Sequence, residues 1–348
     1  MQANPFFYEI KNWPNCNEEW QTEPWHRDKP LGRYVDADIA VVIGTYNRAH
    51  LLLRSLFHYQ HCQRPIWKYE PRIPGNEQHM SIALVVMDDG STDFTRELCE
   101  RFANEQLPIY YFYLGDKQPG AWRDSAAFIN KGLSFAIHAL GASFIFPTHP
   151  EICVGETTIS DSVEWLKSNP GFALARGYYL TPEQQESFGF SHSNTKRVLS
   201  MKNPHEEYYP SQDFFTDLGI LGFISDNPDF YNYGDPTHPY HHSQVEKTPI
   251  WHSWIFAGAT RETWLRFGGF SESDVWGAID PSFADRRRNG GFETWTPQDK
   301  TAMVVHQNHD DPNQNVVTPR NMELCMATIS GFDATPEQPG LLNPERWK

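Results

Sequence analysis

Two stretches of the chain carry the fold prediction: IAVVIGTYNRAHLLLRSL at residues 39–56 and SIALVVMDDGSTD at residues 81–93. Each contains a continuous apolar run, at 38–44 and at 81–87, which is typical of a strand buried on both faces of a parallel sheet. Each run ends in a polar turn and passes into a segment with helical spacing of apolar residues. This spacing predicts helices at 49–59 and 94–104.

The alternation of strand and helix continues beyond these two units. Apolar runs at 109–114 (IYYFYL) and 143–146 (SFIF) predict two more strands, with a helix at about 124–140 between them. A chain that alternates in this way is expected to form an α/β fold, a mostly parallel Rossmann-like sheet flanked by helices. Ligands of such sheets bind at the carboxyl ends of the strands, which makes the polar clusters after the first, second and fourth of these strands the candidate site.

Changes in composition divide the chain into five parts. Residues 1–37 read as an N-terminal extension, 38–180 as the ligand-binding half of the sheet, and 181–250 as a loop-rich insertion or lid. Residues 251–311 read as a second, catalytic half that ends in a strand at 302–306, and 312–348 as a tail. The basic run at 286–288 is interpreted as a solvated helix face.

Charge and cysteine content exclude several classes of protein. The 348 residues include 29 Lys and Arg against 44 Asp and Glu, for a formal net charge of −15. An acidic chain lacks the cationic face that phosphate contacts need, which argues against nucleic acid as a partner without excluding a local basic cleft.

No run approaches the roughly 18 apolar residues of a membrane span, and no secretory signal is visible. Five scattered cysteines without a CxxC pair indicate reduced thiols and a cytoplasmic protein.

The turns after the first two strands resemble those of family 2 glycosyltransferases with the GT-A fold. In that family the first turn lines a nucleotide pocket, and the acids after the second strand hold the base and ribose. The resemblance therefore implies nucleotide-sugar binding by Thr45, Tyr46, Asn47, Arg48, Asp88 and Asp89. The alternative is that residues 88–93 form only a turn and a helix cap.

The segment QPGAWRDSAAFINKGL, residues 118–133, resembles the stretch that follows the third strand in the same family. By this resemblance Arg123 occupies a position where a cation meets the donor diphosphate. A guanidinium fork suits phosphate oxygens, and the start of the following helix also favours an anion.

After the fourth strand the chain departs from the family, which usually carries an Asp-x-Asp metal motif there. The sequence reads FPTHPEI, so that His149 and Glu151 replace the two acids. The family also places a histidine on its last strand, and His306 fits that position. Imidazole and carboxylate together suit Mn²⁺ better than Mg²⁺. The alternative is a site that has lost its metal, with the diphosphate held by Arg123 and other donors.

The segment FAGATRETWLRFGGFSESDVWGAID, residues 256–280, resembles the galactosyltransferase-like C-terminal part of GT-A enzymes. The resemblance places Gly258, Trp276 and Gly277 on the acceptor and donor-sugar side. It makes Asp280 the candidate general base for an acceptor hydroxyl. Asp280 precedes a proline, so a helix cap is the alternative role.

Together these patterns imply an inverting glycosyltransferase that uses a nucleotide-sugar donor, in particular a UDP-sugar, a divalent metal and a carbohydrate or other hydroxyl acceptor. Ile279 and Ser282 replace acids of the family motif. They leave open a non-catalytic nucleotide-sugar or carbohydrate-binding protein on the same scaffold. A nucleotidyltransferase is disfavoured, because the first turn lacks a glycine-rich phosphate loop.

Overall fold

A computed structural model of the chain describes residues 4–11, 13, 37–61, 80–117, 125–175, 177–180, 196, 199–201, 256–272, 283, 286, 287, 289–296, 302, 304–307 and 342–347. Its strands are β1 Phe7–Glu9, β2 Ile39–Thr45, β3 Ile82–Asp88, β4 Ile109–Tyr113, β5 Phe144–Thr148, β6 Ile152–Val154, β7 Gly171–Leu174, β8 Gly177–Tyr179, β9 Ala257–Thr260, β10 Glu293–Trp295 and β11 Val304–His306. Its α-helices are α1 Ala49–His61, α2 Thr95–Phe102, α3 Ser125–His138, α4 Thr158–Leu166 and α5 Arg261–Phe267, and a 3₁₀ helix spans Pro344–Trp347.

The main sheet has eight strands in the order β1-β4-β3-β2-β5-β9-β7-β10. β9 runs antiparallel to both of its neighbours, and the other pairings are parallel. The expected α/β fold with a mostly parallel sheet flanked by helices is confirmed. Among the described helices, none combines the length and the apolar character that crossing a membrane requires.

The apolar runs form central strands because both faces of the sheet are covered. Side chains alternate across a strand, so Ala40 and Val42 join the core on the α3 side. Ile39, Val41 and Ile43 join the opposite core, formed with α1, α2 and α4. All five are fully buried. This two-sided burial explains why the strand reads as a continuous apolar run.

Part of the predicted N-terminal extension belongs to the sheet. β1 pairs in parallel with β4, with Phe7 opposite Ile109. Asn4 fastens the same segment to the end of α2, because its side-chain amide donates to the carbonyls of Glu100 and Ala103. The extension therefore supplies an edge strand as well as packing over the domain.

A second, three-stranded sheet has the order β6-β11-β8. β11 corresponds to the predicted last strand and runs antiparallel to β6, with His306 opposite Ile152. This register brings the end of β11 to the residue that precedes β6, which is Glu151. The small sheet thus joins a late part of the chain to the loop after β5.

The interpretation of residues 286–288 as a solvated helix face is wrong for Arg286 and Arg287, which are both buried. Arg288 lies outside the described residues. Arg286 donates to the carbonyls of Phe267 and Gly269 at the end of α5, where Gly268 adopts a left-handed φ of 81°. Burial lowers the pKa of Arg286 to about 10. The cation caps carbonyls that the helix leaves without intrahelical partners.

Most of the predicted insertion and tail lies outside the described residues. Only residues 196 and 199–201 of the insertion, and 342–347 of the tail, are described. The proposed division of the chain into five parts stays a prediction.

Candidate functional site

The carboxyl ends of β2, β3 and β5 lie side by side. β2 is hydrogen-bonded to both of the other strands, with Thr45 opposite Asp88 and Ile43 opposite Thr148. The polar turns that follow these strands therefore open at one edge of the sheet, where parallel sheets bind ligands. The backbone N–H of Asp89 also donates to the carbonyl of Thr45 at 2.9 Å, which ties the first two turns together.

The turn after β2 is locked against the loop after β3. Asn47 has a φ of 51°, a left-handed conformation that asparagine tolerates better than most residues. Its backbone N–H donates to the Ser91 hydroxyl, and its side-chain oxygen accepts from the N–H of Thr92, both at 2.8 Å. Asp93 accepts from the N–H of Ala49 at 2.9 Å, at the start of α1. Asn47 thus holds the two loops together as one unit.

Asp88 lies inside this loop and is 1% exposed. One carboxylate oxygen accepts from the N–H of Ser91 at 2.8 Å, and the other accepts from the hydroxyl of Tyr111. Burial raises the pKa of Asp88, and its hydrogen bonds partly oppose that shift. Both oxygens therefore accept hydrogen bonds from the protein, and these bonds hold the loop after β3 in its conformation. Tyr111, on β4, has no local sequence signal that pairs it with Asp88.

Asp89, Lys117 and Tyr46 form a second cluster on the same edge. The Lys117 ammonium lies 2.6 Å from an Asp89 carboxylate oxygen and 4.3 Å from the centroid of the Tyr46 ring. The side chains of Lys117 and Asp89 are 13% and 4% exposed, so water screens this ion pair only weakly. The sequence analysis found Tyr46 and Asp89 and missed Lys117, which follows β4.

The three predicted metal ligands converge on one carboxylate. His149 Nδ1 and His306 Nε2 each lie 3.7 Å from Glu151 Oε1. The second oxygen of Glu151, Oε2, accepts from Arg48 Nη1 at 2.8 Å. The Glu151 side chain is 4% exposed and that of Arg48 is 19% exposed. The structure therefore places Arg48 beside the predicted metal ligands.

Gln307 positions both Glu151 and His306. Its backbone N–H and its side-chain amide donate to the carbonyl of Glu151 at 3.1 and 3.2 Å, and the amide also donates to the carbonyl of Leu51 in α1 at 2.9 Å. His306 Nδ1 lies 2.9 Å from the carbonyl oxygen of Gln307. A carbonyl only accepts, so Nδ1 carries a proton, and Nε2 is the ring nitrogen that faces Glu151.

This arrangement matches a metal site in its donors. A histidine whose second ring nitrogen donates to a backbone carbonyl is the usual form of a metal-binding imidazole. Two imidazoles and one carboxylate suit a divalent transition-metal ion such as Mn²⁺ better than Mg²⁺. As the side chains stand, however, the described part of the chain contains no group of three His, Cys, Asp or Glu residues placed to hold an ion. The donor set therefore fits a divalent cation in kind, while Arg48 occupies one oxygen of the carboxylate.

Of the remaining predicted site residues, only Gly258 is among those that the structure describes. Arg123, Trp276, Gly277 and Asp280 lie outside the described residues. Gly258 lies within β9, and a β-carbon there would stand 1.9 Å from Cε1 of Phe146. Close packing beneath the strand is thus enough to require glycine at this position.

Comparisons with known proteins find similar solved structures. A scan of protein-family models gives no match, and neither does a search of curated proteins. The chain is similar to the mannosyltransferase PcManGT from Pyrobaculum calidifontis in complex with GDP-Man and Mn²⁺, with 19% identity, a TM-score of 0.45, and coverage of 94% of this chain and 75% of that one. It is also similar to S. aureus TarS in complex with UDP-GlcNAc, with 14% identity, a TM-score of 0.45, and coverage of 85% and 67%.

A third similar structure is a mutant of Drosophila galactosyltransferase 7 in complex with manganese, UDP-Gal and xylobiose. It has 13% identity and a TM-score of 0.36, and the match covers 81% of this chain and 79% of that one. TM-scores below 0.5 carry no argument about function.

Proposed function

We propose that this protein is a glycosyltransferase that moves a sugar from a nucleotide-sugar donor, a UDP-sugar, to an acceptor hydroxyl with inversion at the anomeric carbon. The supporting observation is the meeting of the turns after β2, β3 and β5 at one edge of the sheet. There Glu151 lies 3.7 Å from two imidazoles and 2.8 Å from the Arg48 guanidinium. A guanidinium beside carboxylate and imidazole groups that could hold a divalent ion, at the carboxyl edge of a parallel sheet, suits a diphosphate-bearing ligand.

In this proposal the donor lies across the edge, with its base toward Tyr46 and Asp89. The Tyr46 ring offers a flat face, and Asp89 offers a carboxylate that accepts from a base or ribose donor. Asp88 keeps the loop in shape through Tyr111 and Ser91, so its contribution to base binding is positional.

The diphosphate is proposed to lie between Arg48 and Arg123. His149, Glu151 and His306 would hold a divalent ion, Mn²⁺ in preference to Mg²⁺, and such an ion would supply positive charge to the leaving diphosphate. Gln307 fixes the backbone of Glu151 and orients His306. The guanidinium groups add hydrogen bonds to phosphate oxygens, which strengthen as negative charge accumulates on the leaving group.

The proposed reaction is a single displacement. Asp280 removes the proton of the acceptor hydroxyl, and the resulting oxygen attacks the anomeric carbon on the face opposite the diphosphate. The new C–O bond forms as the bond to the diphosphate oxygen breaks, and UDP departs with that electron pair. The assignment of Asp280 comes from the sequence resemblance, with Trp276, Gly277 and Gly258 on the sugar side.

The test compares two glutamate variants in an assay for UDP release from a panel of UDP-sugars with Mn²⁺. Glu151→Gln removes the central charge and should lower UDP release by about 100-fold or more, the usual loss when one electrostatic contact to a developing charge is removed. Glu164→Gln, at a side chain that is 69% exposed in α4, is the matched control and should release UDP like the wild type. Equal activity of the two variants would contradict the proposal.

The second candidate is a non-catalytic nucleotide-sugar-binding protein. It is favoured by the absence, among the described residues, of three ligands placed to hold an ion, and by Ile279 and Ser282 in place of acids. Wild-type protein that is stabilised by a UDP-sugar, yet releases no UDP with any acceptor, would support this candidate.

A further inference from the structure

The ion pair between Arg48 and Glu151 joins two residues to which the sequence assigned different ligands. Arg48 was expected to bind the donor, and Glu151 to bind the metal. In the structure the Arg48 guanidinium is 2.8 Å from Glu151 Oε2, and both side chains are largely withdrawn from water. One carboxylate thus already holds a positive charge at the place where a divalent cation is expected.

Two cations on one buried carboxylate repel each other. The repulsion is poorly screened because the Glu151 side chain is 4% exposed, and a divalent ion would add two positive charges beside a carboxylate that Arg48 already neutralises. An ion that binds Glu151 therefore gains when Arg48 leaves the carboxylate. If Arg48 leaves, it needs another anion, and the donor diphosphate supplies one.

We propose that Arg48 and the divalent ion compete for Glu151, so that Arg48 sets the metal affinity of the site and couples metal binding to donor binding. The inference rests on the proposed function, since it takes a nucleotide diphosphate as the anion that receives Arg48. Without the donor, Arg48 remains on Glu151 and metal binding is weak. With the donor, the diphosphate draws Arg48 away and the carboxylate accepts the ion.

The backbone on both sides of the ion pair is fixed, so the exchange requires only movement of side chains. The carbonyl of Arg48 accepts from the N–H groups of Leu51 and Leu52 at 3.0 and 2.9 Å, which anchors it at the start of α1. The carbonyl of Glu151 is held by both donors of Gln307. Arg48 is the more exposed partner, at 19% against 4%, and it is the one with room to swing outward.

The test measures Mn²⁺ affinity directly, by following free Mn²⁺ with electron paramagnetic resonance during titration of the protein, with and without UDP. Arg48→Gln removes the competing charge and should bind Mn²⁺ about tenfold more tightly without UDP, within the usual range of coupling between two ligands. Arg48→Lys keeps the charge and should stay close to the wild type. Arg96→Gln, which removes the exposed ion pairs of Arg96 with Glu9 and Glu100 at the start of α2, should leave Mn²⁺ binding unchanged.

The effect of UDP on Mn²⁺ affinity is the second quantity to measure. UDP should tighten Mn²⁺ binding in the wild type. This enhancement should shrink in Arg48→Gln, because the variant has no Arg48 charge for the diphosphate to draw away from Glu151. A thermal melt of each variant checks that it is folded. Unchanged or weaker Mn²⁺ binding by Arg48→Gln without UDP would overturn the inference, and so would an undiminished UDP effect in that variant.

Failure of the inference is distinguishable from failure of the proposed function. If UDP raises the melting temperature of every variant but none binds Mn²⁺, the competition is refuted and a metal-independent glycosyltransferase remains. If neither UDP nor any UDP-sugar binds the wild type, the proposed function is refuted, and the inference falls with it.

Discussion

Replacing Gly258 by alanine tests whether packing, rather than contact with a sugar, requires glycine at this site position. The added β-carbon would stand 1.9, 2.4 and 2.7 Å from three atoms of the Phe146 ring. Carbon atoms in contact are about 3.5–4.0 Å apart, so the ring or the strand has to move by roughly 1.6–2 Å. Phe146 is fully buried and stacked on Phe256 at 5.2 Å, and Gly258 is paired with Ala173, which leaves little room for such a shift.

The size of the effect follows from two opposing contributions. Overpacking a core usually costs about 1–3 kcal/mol, and this overlap belongs at the upper end of that range. Replacing glycine by alanine also lowers the conformational entropy of the unfolded chain, which stabilises the folded protein by about 0.4–1 kcal/mol. The free energy of unfolding should therefore fall by about 2 kcal/mol. For a chain of 348 residues that unfolds as one unit, this lowers the melting temperature by about 2–4 °C.

The assay is thermal and urea unfolding followed by tryptophan fluorescence, on wild type, Gly258→Ala, Phe146→Leu and the double variant. Leucine lacks the Cε1 and Cζ atoms that the new methyl group would meet. The double variant should therefore be more stable than the sum of the single effects predicts, by about 1 kcal/mol or more. A melting temperature of Gly258→Ala within about 1 °C of the wild type would refute the reasoning, since the range above excludes so small a change. Loss of UDP-sugar binding in the rescued double variant would instead support a sugar-side role for Gly258.

Two further predictions concern buried charges. Burial raises the pKa of Asp88 above its usual 3.8, so its stabilising contribution is complete below that value and is lost as pH rises through the folded-state pKa. Urea unfolding at a series of pH values should show the wild type losing stability relative to Asp88→Asn over this window, and a constant difference would contradict the expectation. Arg286→Met should lower the free energy of unfolding by about 3 kcal/mol, because buried carbonyls at the end of α5 lose their donor. Arg266→Met, at an exposed side chain of the same helix, is the control, and equal effects of the two variants would argue against the capping role.

The central strands could be predicted because two-sided burial leaves an unbroken apolar run, as in β2 and β3. β1 could not be found in the same way. It is a three-residue edge strand, FYE, and β4 alone determines its pairing. β9 reads AGAT, in which small residues give no strand signal. Its place in the sheet depends on pairing with β5 and β7, and Gly258 leaves the space that the Phe146 ring occupies.

The site was predictable to the extent that its residues lie in local motifs. Tyr46 and Asp89 directly follow strands, Glu151 comes three residues after β5, and the sheet brings these residues to one edge. Lys117 and Gln307 carry no motif, because their roles depend on contacts with Asp89 and Glu151 that only the folded chain creates. The pairing of Arg48 with Glu151 spans 103 positions and was equally invisible in the sequence.

The antiparallel pairing of β11 with β6 has a consequence for biosynthesis. The loops after β2, β3 and β5 emerge from the ribosome long before His306 and Gln307, which complete the surroundings of Glu151. Domains generally fold as units, from the N-terminal end, while the chain is still being made. A nascent chain or a fragment that stops before β11 would therefore carry Arg48, His149 and Glu151 but lack the His306 imidazole and the hydrogen bonds of Gln307. The proposed metal site would then be completed only after β11 is synthesised.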